Sequence, residues 1–184
     1  MKIAIRVILF AAIAFITYQI YDSVMAPIRY AKEVKEKESK VIKKLKIIRE
    51  AQLAYKEVNG GFTASFDTLI DFMNNGKIKM FVEYGDKDDS TTVFKREEVL
   101  VSVKDSFFRD VDIDNIRFVP YHDTLQFEMA ANIIVKNNVK VPVFQVTDPD
   151  PFSRERQEEN DPLRVGSVFE VNYKGNWGKN ADTD

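Results

Sequence analysis

The chain has 184 residues and 21.3 kDa, room for about one ordinary domain plus an appendage. A net charge of −2 and a pI near 5.6 argue against a nucleic-acid partner held by bulk charge. With no cysteine and a single histidine, these residues offer no disulfide, thiol nucleophile, iron–sulfur ligand, thiolate zinc site or histidine-rich metal centre.

The apolar residues are concentrated at the start. Between residues 3 and 21 only Arg6, Thr17, Tyr18, Gln19 and Tyr21 are not plainly apolar, and the first acid is Asp22. As a helix this stretch reaches about 28 Å, close to the ~30 Å hydrocarbon thickness of a bilayer. Ile3, Val7, Phe10 and Phe15 would face lipid, Arg6 would snorkel to the headgroups, and Tyr18 and Tyr21 would sit in an interfacial belt. Residues 1–25 therefore read as a single transmembrane anchor. A cleaved signal peptide is the competing reading, with Val24 and Ala26 at the small-residue sites, but the following Pro27 disfavours cleavage. Lys2 and Arg6 favour a cytoplasmic N-terminus in the inner membrane and a periplasmic or extracytoplasmic C-terminal domain. Counted alone, Arg29, Lys32, Lys35, Lys37 and Lys40 on the other flank point the opposite way; the interleaved Glu33, Glu36 and Glu38 soften that count.

Pro27 suits the first turn of a new helix or a kink in a continuous one. Residues 26–60 then read as an amphipathic stalk helix, with Glu33–Lys37 and Glu36–Lys40 in the favourable i, i+4 order. Val34, Val41, Leu45 and Ile48 form an apolar stripe, assigned here as a face for a partner helix; a solvated spacer is the alternative. Asn59-Gly60-Gly61 ends the helix.

Residues 61–175 read as an α+β domain. Ser65 or Thr63 caps a short helix in which Phe66, Leu69, Ile70 and Met73 share a face, and Asn74-Asn75-Gly76 stops it. The period then changes to two, giving strands over 78–84, 99–104, 115–121, 125–136, 140–147 and 165–173 in an antiparallel sheet. Turns fall at His122-Asp123 and Asn137-Asn138, and Pro142 marks an edge strand. Leu125, Phe127 and Met129 should face the core. Residues 148–164 read as a polar loop, and 176–184 as a flexible tail with Trp177 its only candidate anchor.

Chemistry is sparse. Asp110, Asp112 and Asp114 resemble the opening of a calcium loop, but Asn115 and Tyr121 stand where its glycine and closing glutamate belong, so a solvated acidic turn is expected. Asp86, Asp88 and Asp89 form a second acidic loop. His122 adjoins Asp123, a poor geometry for a catalytic pair. With no nucleophile elbow, phosphate loop or dinucleotide fingerprint, the expectation is a non-enzyme without cofactor, nucleic-acid partner or identifiable small-molecule substrate.

Ala51, Leu53, Tyr55, Asn59, Gly60, Phe62, Thr63, Ser65 and Leu69 follow a pattern that resembles the helix end and following loop of type II secretion pseudopilins. The order of apolar helix, amphipathic continuation and antiparallel sheet is similar too. The resemblance implies a joint between stalk and domain made by Tyr55, Gly60, Phe62, Phe66 and Leu69. The pseudopilin cleavage glycine and the acid at the fifth mature position have no counterpart, since no glycine precedes Gly60 and no acid precedes Asp22. In architecture the chain is also similar to single-span assembly-platform proteins of pilus and secretion machines and to membrane-anchored envelope proteins of Bacteroidetes-type bacteria. These resemblances imply a scaffolding subunit whose partners are membrane lipid and other membrane-protein subunits, reached through the span and stalk. An anchored ligand- or client-binding module is the alternative; a secreted hydrolase ranks last.

Overall fold

The computed structural model describes residues 2–84 and 95–178. Helix α1 (Lys2–Asn59) runs without a break, with Pro27 inside it. The remaining elements are α2 (Phe66–Asn75), β1 (Lys77–Tyr84), β2 (Lys95–Ser102), α3 (Val103–Phe107), β3 (Glu128–Lys136), β4 (Val139–Thr147), α4 (Arg154–Glu158) and β5 (Arg164–Gly166). The class is α+β with antiparallel pairing throughout: a two-stranded β1–β2 ribbon and a three-stranded sheet in the order β3-β4-β5.

The chain divides into two units between Ser39 and Lys40. The first is purely helical, and within it Glu33 and Lys37 form the expected i, i+4 ion pair at 2.7 Å. The second holds all the sheet and the core. Residues 40–59, read from sequence as the distal stalk, therefore belong to the globular unit.

The core of that unit is built on one stripe of α1. Val41, Leu45, Ile48 and Ala51 have no exposed surface, and Leu69, Met73, Phe108, Ile116, Phe144, Val146, Leu163 and Val165 pack with them. This corrects the partner-face assignment for Val41, Leu45 and Ile48. The spacing that suits a second helix suits a sheet equally, and the chain's own sheet and loops cover the stripe. Only Val34, half-buried in the first unit, lies outside this core.

Each end of α2 is stopped by local chemistry. Ser65 Oγ accepts from the Thr68 amide, Asp67 stands in the first turn and pairs with Arg117, and the Gly76 amide donates to the Phe72 carbonyl. The Asn137-Asn138 turn has positive φ at both residues, 50° and 62°, the conformation that matches strand twist in a two-residue hairpin.

Several strands differ from expectation. Residues 115–121 form successive turns, because Ile113, Ile116 and Val119 are all buried at a spacing of three, which an alternating strand cannot satisfy. The strand expected at 99–104 lies at 95–102, where Ser102 caps α3 through the Asp105 amide. The strand expected at 165–173 ends at Gly166, whose φ of +78° turns the chain away. Residues 148–164 contain α4. The hairpin about His122-Asp123 is a short one, held by the Val119 amide on the Leu125 carbonyl and the Phe127 amide on the Arg117 carbonyl. Beyond it Phe127 is buried, while Leu125 and Met129 are half-buried against the core.

β4 is central in strand order, yet β5 reaches only Gln145, Val146 and Thr147. Pro142 therefore lies on a stretch paired with β3 alone, where a missing amide costs no ladder bond, and its carbonyl accepts from the Tyr173 hydroxyl at 3.1 Å. The expected tail is partly built in. Trp177 is buried at 4% exposure, and the Asn176 side chain accepts from the Arg164 amide and donates to the Pro162 carbonyl.

Candidate functional site

Within the first unit the apolar segment is bare on every side. Ile3, Val7, Phe10, Phe15, Tyr18 and Tyr21 are 59–77% exposed, and Arg6 is exposed among them. The window of mean hydropathy 2.1 lies wholly on this surface. Leaving so much contiguous apolar area in water is unfavourable by about 25 cal/mol per Å², whereas lipid or other apolar helices remove the cost. Thr17 donates its hydroxyl to the Ile13 carbonyl, so this side chain brings no unpaired donor into an apolar medium. Asp22, the first acid, pairs with Arg29. α1 is the one helix among the described residues that is long and apolar enough to cross a membrane.

The second feature is the seam where α1 ends and the chain returns. Gly60 takes φ +76° and its amide bonds the Lys56 carbonyl, closing the last helical turn. Phe62 is then laid against Phe144 of β4 at 4.6 Å and Tyr173 at 5.4 Å between ring centroids. Lys56 Nζ lies over both the Phe62 and Tyr173 rings and is 3.3 Å from the Tyr173 hydroxyl. Tyr55 meets Phe72 edge-on at 5.2 Å; Leu69 is fully buried and Phe66 half-buried against the core. Of the five residues singled out from the sequence, Leu69 lies in the core, Tyr55, Phe62 and Phe66 pack against it and Gly60 closes the helix, while the ring contacts fall in two sets, Tyr55 with Phe72 and Phe62 with Phe144 and Tyr173.

Gln52 was missed. It has no exposed surface, its Nε2 donates to the Thr63 carbonyl at 2.7 Å, and its Oε1 accepts from the Thr63 amide at 3.2 Å. Both backbone groups of one loop residue are thereby satisfied by one side chain on α1. The signal was present: positions 41, 45, 48, 52 and 55 share a face, and glutamine is the one amide in that series. Gln52→Leu leaves the half-buried Thr63 amide and carbonyl without these partners. It should cost about 2–3 kcal/mol, the lower part of the roughly 1–3 kcal/mol for each orphaned group, because Thr63 keeps some access to water. Urea denaturation followed by the single tryptophan reads this directly.

Lys44 performs a related task on the acidic turn, donating to the Asn115 and Phe118 carbonyls at 2.7 and 2.8 Å. Burial holds its pKa below the ordinary lysine value, partly opposed by the charge of Asp112. A lysine whose folded pKa is depressed binds its proton less tightly when folded. Relative to Lys44→Met, the wild type should therefore gain stability as pH rises through the alkaline interval below the usual lysine value near 10.4, and the gain should level off above it. Paired denaturation curves across that window check the sign.

The remaining chemistry-bearing groups do not converge. Asp110, Asp112 and Asp114 are exposed, and Asp112 accepts from the Asn115 side chain at 2.8 Å. Asp86, Asp88 and Asp89 lie outside the described residues. His122 stacks on Phe152 at 5.3 Å, with Nε2 3.9 Å from Asp150 Oδ2, longer than a hydrogen bond. Asp148 is fully buried, and its Oδ1 accepts from the Asp150 amide at 3.2 Å, a turn-forming arrangement. A shallow groove of about 380 Å³ runs beside β5, walled by Gln145, Arg164, Glu170, Asn172, Lys174 and Asn176. No protein-family model, curated protein or solved structure matches the chain.

Proposed function

We propose that this protein is a single-pass, membrane-anchored scaffolding subunit of an envelope assembly of the secretion, pilus-like or transport kind. In this reading the N-terminus is cytoplasmic, the anchor lies in the inner membrane and the α+β unit is extracytoplasmic. The carrying observation is the bare apolar segment of α1, whose helix goes on to supply the core stripe Val41, Leu45, Ile48 and Ala51. An anchor built from the same helix as the domain's core suits a part that holds other components at a membrane. It does not require catalytic groups.

The reading makes two demands. Intact-mass measurement of the purified membrane protein should show the N-terminal residues present, and a mature start near Pro27 would exclude a retained anchor. Recovery of the full-length protein in mild detergent should bring stoichiometric membrane-protein partners, whereas recovery of the chain without any other subunit counts against a scaffold. The groove beside β5 favours a second reading, an anchored module that binds a polar ligand between Arg164, Glu170 and Lys174. In that case Arg164→Ala should abolish ligand-induced stabilisation while leaving the membrane partners unchanged.

A further inference from the structure

Phe169 is 86% exposed, more than any other large apolar residue among the described ones, those of the bare segment of α1 included. The chain around it is nevertheless well braced. The Phe169 amide donates to the Ser167 hydroxyl at 3.2 Å, the Asn172 amide to the Glu170 carbonyl at 2.8 Å and the Lys174 amide to the Asn172 side chain at 2.9 Å. Where the loop returns, Tyr173 stacks on Phe144 and donates its hydroxyl to the Pro142 carbonyl at 3.1 Å. Residues 167–173 thus hold one aromatic ring out in solvent on a fixed base, so little further ordering is needed for that ring to bind.

Phe169 lines the groove beside β5, among side chains whose hydrogen-bonding capacity is only partly used. Gln145 donates to Thr147 and keeps its amide oxygen, and Asn172 accepts from the Lys174 backbone and keeps its amide hydrogens. The Glu170 carboxylate and the Lys174 ammonium have no ion pair or hydrogen bond among the described residues. Arg164 spends one nitrogen on Asp161 at 3.2 Å, and the Asn176 side chain is committed to the Arg164 amide, Asp161 and Pro162, which fixes that wall.

This arrangement narrows the class of ligand. An extended peptide cannot add to the sheet here. Residues 174–176 already occupy the outer edge of β5, through the Gly166 amide on the Lys174 carbonyl and the Asn176 amide on the Arg164 carbonyl. A phosphate or other compact anion would meet the Glu170 carboxylate, and Arg164, its best donor, is already paired. A wholly apolar ligand would strand the charges of Glu170 and Lys174. One aromatic face ringed by amides, an acid and a cation is matched by a ring with C–H groups on its face and hydroxyls around its edge. We infer that the groove beside β5 binds a carbohydrate chain. Phe169 stacks on one sugar ring, while Gln145, Glu170, Asn172 and Lys174 bond hydroxyls of that ring and its neighbours. A shallow groove suits a chain of sugars lying along it better than a single small molecule, which is held by enclosure. This rests on the second reading above, that the groove takes a polar ligand, and names the ligand's class.

The test is calorimetric titration of the full-length protein in a polyoxyethylene detergent, since detergents with sugar headgroups would compete. The probes are soluble cello-, chito-, malto- and uronic-acid oligosaccharides at up to about 10 mM, with inorganic phosphate and a neutral tripeptide as other polar ligands. At least one oligosaccharide should bind, with a Kd in the range of about 10 μM to 1 mM. Phe169→Ala should weaken that binding by about tenfold or more, while Phe169→Tyr keeps it within about threefold. Glu155→Ala, on α4, should leave it unchanged. Both Phe169 variants should match the wild type in tryptophan unfolding curves, because so exposed a side chain adds little to stability. Oligosaccharide binding that survives Phe169→Ala overturns the inference. Binding of phosphate or the tripeptide alone, abolished by Arg164→Ala, also overturns it but leaves the polar-ligand reading standing. No binding by any probe overturns both.

Discussion

Leu45→Asp is expected to prevent the globular unit from folding. Leu45 has no exposed surface and lies on the α1 stripe that carries Val41, Ile48 and Ala51 into the core. Truncating a buried leucine costs about 2–5 kcal/mol, and an uncompensated buried carboxylate adds roughly 3–5 kcal/mol or is forced to protonate. The sum of about 5–10 kcal/mol is comparable with the whole stability of a typical domain, roughly 5–15 kcal/mol. Leu53→Asp is the matching control, since Leu53 is on the same helix but 38% exposed, and a surface change there should stay within about 0.5 kcal/mol. The measurement is urea denaturation of the full-length protein in mild detergent, read by Trp177, the single tryptophan, which is 4% exposed in the fold. Were the stripe a partner-helix face, Leu45→Asp would leave the unfolding transition in place and lose only the complex. A normal transition for this variant would therefore overturn the packing described here.

Gly166→Val should be the most damaging change outside the helix. Gly166 ends β5 at φ +78°, and a Cβ there would stand 2.2 Å from the Phe144 carbonyl oxygen. That neighbour is backbone of the central strand and cannot rotate aside. Strain at positive φ costs of order 1–3 kcal/mol, and overpacking a well-filled site another 1–3, so a loss of about 4 kcal/mol is expected. Gly60 separates the two costs, because it has φ +76° and a Cβ added there would meet no atom within 4 Å. Gly60→Ala should lose only the conformational part, about 1–2 kcal/mol. Equal losses at the two glycines would mean that the close approach of β5 to Phe144 carries no energetic weight.

The sequence by itself determined the features that depend on local chemistry and periodicity. A long run of apolar residues free of acids marks one apolar helix long enough to cross a membrane by its composition alone. Ser65, Gly76 and Asn137-Asn138 set a cap, a stop and a hairpin turn through groups within a few residues of one another. The α+β class followed from the change of period after Gly76. The short helix and the inward facing of Phe127 were legible for the same reason.

What only the tertiary structure decided is which surface meets which. The spacing of Val41, Leu45 and Ile48 states that one helical face is apolar, but the hydrophobic effect is non-directional, and a partner helix or the chain's own sheet satisfies it equally. Burial against Phe144, Val146 and Leu163 resolves that choice. Residues 115–121 read as a strand because apolar and aromatic residues recur there; the three-residue spacing of the buried positions emerged only once a core existed to define them. Gln52, Lys44 and Gly166 stayed hidden because their partners, Thr63, the Asn115–Phe118 turn and Phe144, are brought to them by the fold. A side chain that satisfies distant backbone, or a glycine that admits it, leaves no periodic trace in the sequence.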